Sequence, residues 1–255
     1  MIYLDAVTVT YAPAVTLGPC TLELRRGEVT ALVGSSGAGK STMLRCMNGL
    51  LPPSSGAVRV DGLGPLREAR TRRIHQRRTG MIFQSHQLIG RRTALDNVLQ
   101  GRLGYHSALR TLFPASAAET RLALHCLERV DLLGKARSRA DQLSGGERQR
   151  VGIARALAQQ PVVILADEPV ASLDPVQGER VLSLLHRICR EDGLTTAISL
   201  HQIEYVRRFA DRVVGLSGGR VVFDGPPDAL TPDALADIYR KRGARAPEET
   251  MKEAR

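Results

Sequence analysis

Residues 34 to 41 read GSSGAGKS and fit the spacing G-x-x-x-x-G-K-[ST], by which a chain holds nucleotide phosphates on its own backbone. Gly34, Gly37 and Gly39 let the main chain turn tightly enough for successive N–H groups to face one anion. Lys40 adds a mobile positive charge for the β- and γ-phosphates, and Ser41 offers a hydroxyl to Mg²⁺, a cation that keeps several waters and bridges phosphate oxygens. The expected cradle is Gly34, Ser35, Ser36, Gly37, Ala38, Gly39, Lys40, Ser41 and Thr42. A glycine-rich turn with an incidental lysine is the competing reading. Against it stand the strand-like VTALV before the loop and the helix-like KSTMLRCMNGL after it.

Such a loop needs an acidic partner at the end of a buried strand, and VVILADEP supplies two, Asp167 and Glu168. Adjacent carboxylates suit two tasks. Asp167 would hold hydrated Mg²⁺, while Glu168 would act as general base on an attacking water, a role worth roughly 10²- to 10⁴-fold in rate. A second glycine patch, LSGGERQR (143 to 150), has no lysine. Its Ser144, Gly145, Gly146 and Glu147 open a helix whose unpaired N–H groups and dipole favour an anion. Ser144 with Glu147 three residues on is equally a capping box, and the residues alone leave both readings open.

The elements that must position these groups follow from periodicity. IYLDAVTVT, TLELRRG, VTALVG and, after the LPPSSG break, AVRVDG read as strands, so the opening is β-rich. Asp5 stands where a signal peptide would be apolar, and MIYLDAVTVTY reads as a first strand. SAAETRLALHCLERV (116 to 130) is a helix with a Ser116/Glu119 capping box, and GGERQRVGIARALAQQ (145 to 160) is a helix stopped before Pro161. VVILADE, the helical VQGERVLSLLHRICRE and TTAISLH then alternate, which implies a parallel sheet covered by helices. RVVGLSGGRVVFDG reads as a hairpin turning at SGG.

Composition narrows the class. With 255 residues and 43% hydrophobic content the chain can bury a large core, which excludes a disordered or fibrous protein. The net charge of +10 would suit nucleic acid, an anionic ligand or an acidic partner, but the basic runs REARTRRIHQRR, GRR and YRKRGAR have few aromatics between them for base stacking. No nucleic-acid partner is expected from them; a solvated or partner-facing arginine surface is. Cys20, Cys46, Cys126 and Cys189 are widely spaced and read as reduced, buried thiols. No run approaches the roughly 20 apolar residues of a membrane-spanning helix.

LSGGERQRVGIARAL resembles the signature of the ATP-binding cassette (ABC) ATPases, and the other motifs lie in that family's order over nearly the whole chain. The resemblance implies an α/β fold, a P-loop NTPase of ABC type with a RecA-like core, an N-terminal antiparallel β subdomain and an inserted helical subdomain. The core would comprise residues 1–84 and 161–242, the helical part residues 85–160, and residues 243–255 a polar tail. It also implies that Tyr11 stacks on adenine, that Gln84 in MIFQ touches Mg²⁺ and the γ-phosphate, that SLDP carries Asp174 in a nucleotide-site loop, and that His201 in SLHQ is the switch histidine at the γ-phosphate. Catalysis would then rest on Glu168, His201 and Lys40, with Ser41, Gln84 and Asp167 about the metal.

In that family the signature of one copy covers the nucleotide on the phosphate loop of another. The lysine-free patch is then explained as half of a site in a head-to-tail dimer, with Ser144 meeting a γ-phosphate held by Lys40 of the second copy. Integral membrane permease subunits are implied as partners, docking on residues 85–105, and a periplasmic substrate-binding protein indirectly. MIFQSHQLIGRRTALDNVLQGRLGYHSALRTLFP resembles the phosphonate-import ATPases, which places the chain on the cytoplasmic face of the inner membrane as a peripheral subunit. Import of a polar amino acid or phosphate, or a soluble cassette acting on nucleic acid, are the alternatives. A GTPase would need an NKxD motif, which the sequence lacks.

Overall fold

The computed structural model describes residues 1–11, 14–85, 87–107 and 109–240, with the backbone alone at residues 11, 14, 15 and 112. The polar tail expected at 243–255 lies outside them. Four strands form an antiparallel sheet, β1 (Ile2–Tyr11), β2 (Ala14–Leu24), β4 (Ser55–Val60) and β5 (Gly64–Pro65), in the order β2-β1-β4-β5. Six others form a second sheet, β3 (Val29–Val33), β6 (Thr79–Ile82), β7 (Val163–Ala166), β8 (Thr195–Ser199), β9 (Arg212–Ser217) and β10 (Arg220–Gly225). Its order is β10-β9-β3-β8-β7-β6, parallel except for the β9–β10 hairpin. That hairpin turns through Gly218 and Gly219, both at positive φ (55° and 81°), as a two-residue turn matched to strand twist requires.

The central strands are buried from end to end, because apolar layers cover both faces. Alternate residues divide between two cores. Ala31, Val33, Ile164 and Ala166 point to one, formed with the helices of the chain's second half. Leu32, Val163 and Leu165 point to the other, where α1 (Lys40–Met47) buries Met43, Leu44 and Met47 beneath Ile2, Leu4 and Leu22 of the antiparallel sheet. The phosphate loop is therefore clamped between a strand buried on both faces and a helix buried between sheets.

The chain's middle is helical. α3 (Ala94–Leu99), α4 (Ala117–Arg129) and α5 (Gly145–Leu157) pack on one another, and each starts with a capping box, respectively Thr93/Asp96, Ser116/Glu119 and Ser144/Glu147. α5 ends at Leu157, earlier than the run to Gln160 suggested. Gln160 adopts φ 51° and donates to Leu157 O at 2.8 Å, a left-handed turn that closes the helix because the residue before Pro161 cannot stay helical. α6 (Pro175–Glu191), α7 (Ile203–Phe209) and α8 (Pro232–Tyr239) complete the fold.

The basic run 67–78 is more than a charged surface, since it holds α2 (Ala69–Arg77), whose His75 is buried with Nε2 2.8 Å from Met47 O. Burial lowers the pKa of that imidazole. All four cysteines are free and buried, with thiols pushed up to about 11 by burial. No described helix is long and apolar enough to cross a membrane.

Candidate active site

The phosphate loop leaves β3 at Gly34 and enters α1 at Lys40. Its glycines are fixed by close approach as well as by φ. A Cβ on Gly34 (φ 152°) would stand 2.3 Å from Leu216 O, and one on Gly39 (φ 104°) 3.0 Å from Thr16 O. Behind the loop, Gly219 donates to Ala38 O (3.2 Å) and accepts from Gly18 N (2.7 Å), so the hairpin and β2 brace it. Ser36 and Gly37 form its exposed outer rim, while Ala38 is buried and Thr42 sits on the first turn of α1. Lys40 is 4% exposed, with Nζ donating to Gly34 O (2.8 Å) and Ser35 O (3.1 Å). Burial lowers its pKa, and the charges of Glu168 and Asp167 oppose that shift.

The carboxylates arrive from the sheet. β7 ends at Ala166, and Asp167 follows with its N–H on Ile82 O at 2.8 Å. Ser41 Oγ donates to Asp167 Oδ1 at 2.8 Å, and the hydroxyl of Ser199 lies 3.1 Å from the same oxygen. Ser199 also accepts from Glu168 N at 2.7 Å. That bond holds Glu168 in a left-handed conformation, φ 46°, which costs a non-glycine residue about 1 kcal/mol or more. The turn presents Glu168 to His201, whose Nε2 is 2.5 Å from Glu168 Oε1; with the carboxylate ionised, Nε2 carries the proton of that bond. Gln84 follows Ile82 by two residues as Glu168 follows Ala166, and Ile82 and Ala166 are register partners. It is exposed at this same edge.

Lys40, Ser41, Asp167, Glu168 and His201 thus gather at the carboxyl ends of adjacent parallel strands, where α/β sheets bind ligands. Ser199, the last residue of β8 and the serine of SLHQ, was not among the expected site residues. Ser144, Gly145, Gly146 and Glu147 stand elsewhere, at the start of α5. Ser144 Oγ accepts from Glu147 N (3.2 Å) and Glu147 Oε2 from Ser144 N (2.8 Å), while a Cβ on Gly146 would meet Gln177 Oε1 at 3.0 Å. Asp174 caps α6, accepting from Gln177 N at 2.9 Å. The side chain of Tyr11 lies outside the described residues.

The donor set fits a magnesium nucleotide. A Cβ built on Gly37 would meet nothing within 4 Å, so the loop faces open space that an anion can enter, and Ser41 with Asp167 offers two hard oxygens. Among the described residues no group of three or more His, Cys, Asp or Glu gathers to hold a metal unaided. A pair suffices for Mg²⁺ when phosphates and water complete its shell.

Strand order, phosphate loop and acidic turn together define an ABC-type, P-loop α/β ATPase fold. The family model described as ABC transporter matches residues 17–171, and the chain belongs to that family, as one of its ATP-binding cassettes. Among its relatives, the phosphite import ATP-binding protein of Stutzerimonas stutzeri is 57% identical over 244 residues, covering 95% of this chain and 88% of its own. A phosphonates import ATP-binding protein of Nostoc sp. is 52% identical over 240 residues, covering 94% and 92%. The dimeric post-hydrolysis structure of the ATP-binding cassette MJ0796, bound to ADP and Pi, superposes with TM-score 0.77 at 35% identity over 89% of this chain and 99% of that one.

Proposed function

We propose that this chain is the ATP-hydrolysing subunit of a bacterial importer for a reduced phosphorus oxyanion, phosphonate or phosphite, working as a head-to-tail dimer beneath a separate permease. The observation that carries the reading is the cluster of Lys40, Ser41, Asp167, Glu168 and His201 at the carboxyl ends of the central strands, in a chain 57% identical to a phosphite import subunit. Mg²⁺, when bound, neutralises charge on the phosphates. Ser41 and Asp167 would hold it, with Gln84 reporting the γ-phosphate. Lys40 exchanges its loop carbonyls for the β- and γ-phosphate oxygens. Tyr11 serves the adenine.

Hydrolysis forms a bond from water oxygen to the γ-phosphorus and breaks the bond to the β–γ bridging oxygen, giving ADP and phosphate. Glu168 takes the water's proton, and His201 orients Glu168 and the γ-phosphate. Ser144, Gly145, Gly146 and Asp174 of the second copy close the site from above, which explains a glycine patch without a lysine. To move such a dimer from 1:99 to 99:1 closed, ATP must favour closure by about 5.5 kcal/mol, a sum within reach of charge-assisted contacts to two γ-phosphates.

The permease would dock on residues 85–105, read as part of a helical subdomain spanning 85–160. A pocket of about 400 Å³ opens there, rimmed by Ile89, Leu103 and Phe113, which are 50%, 49% and 67% exposed. Arg155 of α5 ties the start of this region to the rest of the helical part by donating to Gln87 O at 2.6 Å. Such a subunit lies on the cytoplasmic face of the inner membrane, with a periplasmic binding protein delivering substrate to the permease. Deletion of the gene in its native host tests the reading. Growth should be lost on phosphite or a phosphonate as sole phosphorus source and restored by the parent but not by a Lys40→Ala copy. Undiminished growth on both, with loss on another solute, would reassign the substrate.

A further inference from the structure

Tyr205 sits on the first turn of α7, four residues past His201, and its hydroxyl donates to the Pro175 carbonyl at 3.0 Å. The residue is 9% exposed, and its ring leans on Phe209 with centroids 6.2 Å apart. Pro175 is the first residue of α6 and follows Asp174, the cap of that helix. The hydroxyl lies close against α6, for a Cβ on Gly178 would stand in ordinary contact with it at 3.6 Å and with Val170 Cβ at 3.5 Å. At the other end of the same segment His201 touches Glu168 at 2.5 Å. One short path therefore joins the γ-phosphate side of the site to the exposed residues Ala171, Ser172 and Asp174.

Breaking the bond carries a cost. A buried phenol has no water to turn to, so losing Pro175 O would leave its hydroxyl unsatisfied. A carbonyl carries two lone pairs, so Pro175 O can accept from the phenol and still serve the first turn of α6. When His201 shifts toward or away from a γ-phosphate, the start of α7 must carry the start of α6 with it or break this bond.

We propose that Tyr205 is a positioning residue that links the switch-histidine segment to the loop at 171–174, so that phosphate occupancy at one site alters the surface offered to the second copy. The inference rests on the head-to-tail dimer proposed above. A link of this kind is a physical coupling because both ends have two arrangements and one contact biases them together.

Tyr205→Phe keeps the ring and its packing and removes only the donor. In the full-length protein its Tm should stay within about 4 °C of the parent. Its kcat for ATP should fall about five-fold, the size of one net hydrogen bond, while KM stays within about two-fold. The Hill coefficient for ATP should fall from the parent's value toward 1. A purely structural tyrosine would lower Tm and leave the Hill coefficient alone, which overturns the proposal. So does a folded Tyr205→Phe with the parent's kcat and cooperativity. The parent assayed across protein concentration keeps the two ideas apart. If its velocity per molecule rises with concentration, only the role of Tyr205 is at stake; if it is flat, the dimer falls and the inference falls with it.

Discussion

Ser41 Oγ donates to Asp167 Oδ1 at 2.8 Å, joining the first turn of α1 to the end of β7 across 126 positions of sequence. The two oxygens assigned to Mg²⁺ are thus one hydrogen bond apart, the geometry that a shared cation replaces with two ligand bonds. Ser41→Ala removes one ligand and leaves Asp167 its contact with Ser199. The Mg²⁺ concentration for half-maximal hydrolysis should rise about ten-fold or more, by analogy with losses around other metal sites. An unchanged magnesium titration would remove Ser41 from the metal.

Glu168 occupies a strained turn that its own N–H bond to Ser199 maintains, so a substitution that spares the backbone isolates the side chain. Glu168→Gln should lower turnover by about 100-fold or more. ATP binding should persist, because Lys40 and the loop amides are untouched. Gel filtration with ATP should then show dimer accumulating, and phosphate release at the parent rate would end the assignment of Glu168 as base.

The Ser116/Glu119 box predicts a pH signature. Glu119 accepts from Ser116 N at 3.0 Å and stands beside His106 Nε2 at 2.5 Å; the backbone bond chiefly, then His106, holds its carboxyl down at about 2. A carboxyl depressed in the folded state adds stability that is complete above its unfolded pKa, near 4.5, and is lost as pH falls through about 2. Glu119→Gln should therefore lower Tm at pH 7, with the deficit shrinking between pH 4.5 and 3. An equal deficit at pH 7 and pH 3 would mean that shape, and not charge, is at work.

Most of the site was legible because its chemistry is local in sequence. The phosphate loop, the acidic turn and both capping boxes each fit within ten residues, and the strands and helices beside them keep clean periods. Ser199 was harder to see because its role is tertiary: it serves Asp167 and Glu168 from a neighbouring strand, and nothing in TTAISLH announces that register. α2 was hidden because nine residues with four arginines and one histidine among them give no apolar stripe, and His75 inside it makes its buried contact through a ring nitrogen. α8 went unread as well, although Thr231 and Pro232 carry its signal, a cap followed by the residue preset for a first turn.

Gln84 sits between the site and the pocketed helical region without belonging to the catalytic cluster. Gln84→Ala should leave ATP affinity within a few-fold while lowering the substrate moved per ATP hydrolysed. Proteoliposomes holding the permease, loaded with labelled phosphonate or phosphite and scored for phosphate release, give both numbers. Unaltered transport per ATP would separate Gln84 from coupling.

The placement of the signature decides whether one chain can be complete. α5 packs against α3, α4 and α6, whereas α1 packs against β1, β2 and β8, and the bonds of Ser144 and Glu147 run to each other. If the active site is shared head to tail, Lys40→Ala and Ser144→Arg copies are each dead, but for opposite reasons. A mixed dimer of the two has one site with both defects and one site with neither. Equal mixing makes half the dimers mixed, so velocity should return to about a quarter of the parent's if sites fire independently. Were Lys40 and Ser144 partners within one chain, every site in the mixture would carry a defect. No recovery after subunit exchange, confirmed by capture of one tagged variant with the other, would mean that the signature does not complete a neighbour's phosphate loop.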